Sequence, residues 1–181
     1  MSIEIEIKAW VEDTEAASKA ISSFAVFKNS YAKDDEYWQS PEHSFGSGIR
    51  LRQEGGVSEG AIVNFKQKEV RDGMEVNDER EFSVSDAQTF TELLRRLGFA
   101  PWIRKQKIGT AWDYQGITIE LSEIVGLGTF VELEILEEND DRATVESARR
   151  RLLACLKRIG IKGENIEERF YTQMLASRKS L

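Results

Sequence analysis

Ile3-Glu4-Ile5-Glu6-Ile7-Lys8 is the stretch on which the reading of the fold turns. Its alternation is strict, so an extended chain puts Ile3, Ile5 and Ile7 on one face and Glu4, Glu6 and Lys8 on the other. Far along the chain, Phe130-Val131-Glu132-Leu133-Glu134-Ile135 repeats the pattern, with Glu132 and Glu134 opposite Val131, Leu133 and Ile135. Between them, Ile49-Arg50-Leu51-Arg52, Asn64-Phe65-Lys66-Gln67-Lys68 and Arg104-Lys105-Gln106-Lys107 place basic residues two apart. A buried face and a solvated face explain any one of these strands. The set as a whole points to an α+β protein built on a closed antiparallel eight-stranded β-barrel. Its apolar faces are expected to meet helices packed outside, and its charged faces to line a tunnel. Small barrels usually fill their interior with apolar side chains. An unpaired buried ion costs on the order of several kcal/mol, so a charged lumen needs acids, bases, metal ions and a polyanionic ligand to balance one another.

The 181 residues, 40% hydrophobic and 31% charged, suit one charge-rich domain over 1–181. A net charge of -7 argues against general binding to nucleic acid or to an acidic membrane, and leaves a local basic site open. The single cysteine, Cys155, excludes an internal disulfide and a cysteine-rich metal site. It shares a helical stripe with Val145, Leu152, Leu156 and Ile159, which reads as a core thiol. The one histidine, His43, sits in the Gln39–Ser47 loop and is given no metal role. No apolar run reaches membrane length and no signal-peptide core is present, so a cytoplasmic protein is expected. There is no P-loop, and any phosphate binding must come from side chains.

Periodicity predicts a helix over Glu12–Phe27, strands over Ser30–Trp38, Gly48–Gln53, Ala61–Glu69 and Glu75–Val84, and a helix over Ser85–Leu97. Pro101–Asp113 reads as a long strand or a bent pair. Tyr114-Gln115-Gly116 reads as a hairpin turn, and Ile117–Ile124 and Thr129–Leu136 as strands. A helix over Asp140–Arg158 and a shorter helical segment over Asn165–Ser177 close the chain.

Glu4-x-Glu6-x-Lys8 resembles the signature of the CYTH proteins, also called triphosphate tunnel metalloenzymes. Gly126-Leu127-Gly128-Thr129-Phe130-Val131-Glu132-Leu133-Glu134 resembles the late signature of the class IV adenylyl cyclase branch, which is related to thiamine triphosphatase. Asp35-Glu36-Tyr37-Trp38, Arg50-Leu51-Arg52 and Phe65-Lys66 fall between them in the family's order. The resemblance implies a divalent-metal-dependent enzyme acting on a triphosphate. It implies Glu4, Glu6, Glu132 and Glu134 as ligands for Mg²⁺ or Mn²⁺, hard ions that prefer oxygen.

Lys8, Arg50, Arg52, Lys66, Lys105 and Lys107 form the candidate catalytic cations, because guanidinium forks and ammonium groups match phosphate oxygens. Glu81 is expected to orient them or to help with metal. In two places the chain departs from the family pattern. Aligning on Trp112 puts Gly109 where relatives carry an arginine, and the position before Glu132 at which relatives carry an acid falls at Ser122. Glu120, on the same strand face, is expected to take the acidic role and join the metal ligands, and Lys105 to cover for the arginine. The activity expected first is cyclisation of ATP to cyclic AMP and pyrophosphate. Thiamine triphosphatase or inorganic triphosphatase activity and a non-catalytic nucleotide or polyphosphate-binding module are the alternatives. The expected partner is a triphosphate small molecule, with a homodimer left open.

Overall fold

The N-terminal alternation forms a strand. In the computed structural model, which describes residues 3–41, 48–54, 60–71 and 74–179, β1 spans Ile3–Trp10. α1 (Thr14–Ser22) begins at Asp13, whose carboxylate accepts from the Ala16 N–H at 2.9 Å. Then come β2 (Val26–Gln39), β3 (Ile49–Glu54), β4 (Ala61–Arg71), β5 (Met74–Val84) and α2 (Ala87–Arg96). β6 (Ala100–Tyr114), β7 (Ile117–Ile124), β8 (Gly128–Glu137), α3 (Arg142–Ile159), a 3-10 turn (Gly163–Asn165) and α4 (Tyr171–Lys179) complete the α+β chain.

The neighbouring strands pair antiparallel in the order β1-β5-β4-β3-β2-β6-β7-β8. β1 bonds to β5 on one edge and to β8 along the other, so the ring of pairings closes. The β6–β7 hairpin turns on Gln115 (φ 52°) and Gly116 (φ 76°). Two consecutive left-handed residues match the twist of the flanking strands.

Two expectations need correction, and one open choice is resolved. The first helix stops at Ser22 and does not reach Phe27, because Val26 and Phe27 already pair with Asp113 and Trp112 in β6. β6 is one strand and not a bent pair; register shifts against β2, between Phe27 and Asn29 and between Tyr37 and Trp38, absorb the curvature. The last helical segment does not run from Asn165. Ile166 bridges to Ala9, and the Glu167 N–H donates to the Lys8 carbonyl at 2.9 Å, on the edge of β1 that β5 has left free. The helix forms only from Tyr171. The Gln39–Ser47 loop with His43, the turn after Glu54 and the Arg71-Asp72-Gly73 turn lie largely outside the described residues.

The apolar strand faces turn outward. Ile5, Ile7, Val131, Leu133 and Ile135 pack with Ala17 and Ile21 of α1 and with Val145, Ala148, Leu152, Cys155, Leu156 and Ile159 of α3. Each fully buried aliphatic side chain contributes roughly 1.5–3 kcal/mol. α2 packs Leu94 on Trp38, Leu51 and Val63, and α4 packs Met174 and Tyr171 on Ile124, Leu127 and Phe130. Cys155 is one of the core residues, and burial pushes its thiol up to about 11. No helix among the described residues is long and apolar enough to cross a membrane.

Candidate active site in the barrel lumen

With the apolar faces outside, the alternation leaves the charged ones to the interior. A cavity of about 240 Å³ opens there. Glu4 and Glu6 of β1, Glu132 and Glu134 of β8 and Glu75 of β5 line one side. Arg50 and Arg52 of β3, Lys33 of β2, and Lys105 and Lys107 of β6 line the other. The strand order separates β8-β1-β5 from β3-β2-β6, so the lumen is divided into an acidic wall and a basic wall.

On the acidic wall, Glu6 lies opposite Glu75 on one neighbour and opposite Glu134 on the other, so three carboxylates occupy consecutive rungs. Like charges directly opposite one another repel. Two residues away on the same strand face, Glu4 accepts from Asn77 Nδ2 at 3.0 Å. Lys8 is fully buried and bonds to Glu75, stacked near the rings of Phe170 and Tyr171. Its ammonium is turned to Glu75, which itself lines the cavity. The oxygen-rich donor set suits a hard divalent ion in type and in strand register. In the present side-chain arrangement no three acidic, histidine or cysteine residues among those described converge on one point.

The basic wall is organised by Asp35. Completely buried, it accepts from Arg52 Nε at 2.7 Å and from Arg52 Nη2 at 3.0 Å, and lies 3.1 Å from Lys105 Nζ. Burial pushes the Asp35 carboxyl up, but the charges of Lys105 and Arg52 outweigh it and hold the group well below the usual carboxylate range. Glu120 is the second anchor. It accepts from Lys33 at 2.7 Å and is in contact with Lys107, which also meets Glu132. Against its burial, Lys107 and Lys33 keep the Glu120 carboxyl low. Burial, joined by Lys105 and Lys33, pulls the Lys107 ammonium down to about 8 despite Glu120. At the mouth, Arg50 lies 3.8 Å from the half-exposed Glu81.

Glu4, Glu6, Glu81, Glu120, Glu132, Glu134, Arg50, Arg52, Lys105 and Lys107 thus share one cavity. Lys66 belongs to β4, and its side chain is outside the described residues. Lys105, expected to cover for the arginine absent at Gly109, pairs with Asp35. The Gly109 corner itself has no room for a side chain. A Cβ on Gly109 would lie 2.4 Å from the Leu121 carbonyl oxygen and 2.6 Å from Ser122 Cβ. Gly109 pairs directly with Ser122 on one side and with Tyr31 on the other, and Lys33 Nζ sits 4.2 Å from the centre of the Tyr31 ring.

Sequence reasoning missed Lys33, Asp35, Glu75 and Asn77, together with Tyr171 and Thr172. Lys33 and Asp35 share a strand face with Tyr37, and Glu75 and Asn77 one with Glu81; that phase was readable. Tyr171 and Thr172 carried no such signal, because they reach the lumen from a segment folded back across it.

The ring of strands thus encloses opposed acidic and basic walls. The chain belongs to the CYTH domain family, whose pattern matches residues 2–171. It is 25% identical over 175 residues to Adenylate cyclase CyaB of Aeromonas hydrophila, covering 93% of this chain and 86% of that one. A Methanocaldococcus jannaschii protein whose adenylate cyclase name is provisional is 24% identical over 179 residues, covering 95% and 98%. A solved Pyrococcus horikoshii protein superposes with a TM-score of 0.81 at 24% identity, over 95% of this chain and 99% of that one. A Hippeastrum protein, described with a dominant triphosphatase activity, superposes with a TM-score of 0.69 over 99% and 96% of the two chains. At 15% identity that likeness is one of fold.

Proposed function

We propose that this protein is a divalent-metal-dependent enzyme that acts on a small-molecule triphosphate inside the barrel, in the cytoplasm. One observation carries the reading: Arg50, Arg52, Lys33, Lys105 and Lys107 share a single cavity with Glu4, Glu6, Glu132 and Glu134. Arginine forks and ammonium groups are the natural partners of phosphate oxygens. The acidic wall repels the same ligand unless a cation intervenes, so ligand and metal are expected to bind together. An Mg²⁺ or Mn²⁺ ion held by Glu6 and Glu134, with Glu4, Glu132 or Glu120 completing the oxygen set, would draw charge off the phosphate and acidify the attacking hydroxyl or water. The basic wall would bind the chain of phosphates and offset charge that develops on the departing oxygen.

Cyclisation of ATP is the first reaction to test, in keeping with the names of the curated relatives. The ribose 3′-oxygen bonds to the α-phosphorus, the bond to the bridging oxygen breaks, pyrophosphate leaves, and the hydroxyl proton passes to solvent or base. Hydrolysis, in which water attacks the γ-phosphorus of thiamine triphosphate or inorganic triphosphate, is favoured by the cavity's size. About 240 Å³ is small beside the roughly 300–1,000 Å³ typical of ligand pockets, and suits a triphosphate better than a whole nucleotide.

The deciding experiment offers ATP, thiamine triphosphate and inorganic triphosphate, each with Mg²⁺ and with Mn²⁺, and identifies products by chromatography. Turnover of at least one substrate, abolished by chelation, is expected. Cyclic AMP with pyrophosphate marks a cyclase, and released phosphate a hydrolase. Tight binding without turnover would leave a polyphosphate-binding module, and neither binding nor turnover would sink the proposal.

A further inference from the structure

α4 brings a group into the lumen that nothing in the strand pattern announces. Tyr171, the first residue of that helix, is 7% exposed, and its ring packs edge-on against Phe130 with centroids 5.0 Å apart. Lys8 Nζ of β1 lies 5.6 Å from the Tyr171 ring centre and Lys105 Nζ of β6 lies 5.2 Å from it. β8 and β7 separate those two strands in the ring, so the tyrosine sits across the lumen and not against one wall. Phe170 and Thr172 line the cavity beside it. The Tyr171 hydroxyl is buried and meets no hydrogen-bond partner among the described residues.

A buried hydroxyl with no partner is unfavourable, and in native structures such a group calls for an explanation. The explanation here lies in what surrounds it. Burial first, then the charges of Glu6 and Glu75, raise the phenol well above its ordinary value, so it keeps its proton and can donate. Lys8 and Lys105, each paired with a carboxylate, flank the ring, and the cavity that Tyr171 lines also carries Arg50, Arg52, Lys33 and Lys107, beside which an anionic acceptor would sit. The first turn of α4 adds N–H groups that a helix cannot satisfy internally.

We propose that the Tyr171 hydroxyl is a binding group for the triphosphate, donating its hydrogen bond to a phosphate oxygen. This rests on the triphosphate reading above and adds to it a contact from outside the barrel strands. The helix that covers the lumen then recognises the ligand as well as enclosing it.

The test is Tyr171→Phe, which keeps the ring, its packing and its lysine contacts and removes only the hydroxyl. A non-hydrolysable imido analogue of inorganic triphosphate is titrated calorimetrically into wild type and variant in the presence of Mg²⁺, so that no turnover intrudes, and both proteins are melted without ligand. The variant should bind roughly tenfold more weakly, in line with loss of one charge-assisted hydrogen bond. Its melting temperature without ligand should be unchanged or higher, since an unsatisfied buried group has been removed. Equal affinity in the two proteins overturns this inference and leaves the triphosphate reading standing. A lower melting temperature in the free variant also overturns it, because the hydroxyl would then serve a bond within the protein. Wild type that does not bind triphosphate takes down both proposals.

Discussion

Asp35 holds together a wall that the ligand alone is expected to touch. Its two oxygens bond both nitrogens of the Arg52 fork and pair with Lys105. Removing one partner of a buried pair strands the others, typically at about 3–5 kcal/mol. Asp35→Asn should therefore lose about that much stability at pH 7 in urea unfolding. The pH dependence follows from the depressed folded value. A carboxyl held below its ordinary value near 3.9 stabilises the fold above that pH, and the contribution fades as the pH falls through the folded value. The gap between wild type and Asp35→Asn should narrow below about pH 4. At this scale the sequence revealed residue types better than partnerships. Arg52, Lys105 and Lys107 were legible as cations on inward faces. That Asp35 would take two of them and Glu120 the third depends on which strands become neighbours. The exclusion of a side chain at Gly109 depends on how closely β7 approaches, and no local pattern encodes that.

Among the elements, those fixed by their own residues were readable. Asp141 starts α3 by accepting from the N–H groups of Ala143 and Thr144, and Gly160 ends it at φ 94°. The start of α4 was not readable, because β1 draws Ile166 and Glu167 along its free edge before a helix can form. α4 is held mainly by Met174 and Tyr171 on Ile124, Leu127 and Phe130, with Trp10 and Leu175 packed alongside. Met174→Ala should cost about 2–5 kcal/mol of that docking. Native-state hydrogen exchange should show faster exchange in α4 with little change in β6–β8. Uniform acceleration throughout the barrel would mean that α4 is not an independently opening unit.

For the whole molecule, alternation foretold which faces would turn inward, but not the ring order. β1 meets β8 across pairings from Ile3–Glu137 to Trp10–Phe130, the most distant in sequence that the fold contains among its described strands. Closing so large a loop is entropically unfavourable until neighbouring contacts repay it. The β1–β8 seam should therefore form after the folding transition state. Leu133→Ala, fully buried at that seam, should cost about 2–5 kcal/mol, expressed as faster unfolding with the refolding rate nearly unchanged. Stopped-flow kinetics in denaturant measure both arms, and a refolding rate slowed in proportion to the lost stability would place the seam in the nucleus.

That seam also matters while the chain is being made. β1 leaves the ribosome about 120–134 residues before the parts of β8 it must join, an interval of roughly 6–27 s at about 5–20 residues per second. Throughout it, one backbone edge of β1 stands open beside three isoleucines, the kind of edge that recruits strands from other chains. Glu4, Glu6 and Lys8 alternate with those isoleucines. Stacked copies would set like charge upon like charge, so these inward-facing charges should also act as gatekeepers against aggregation during synthesis.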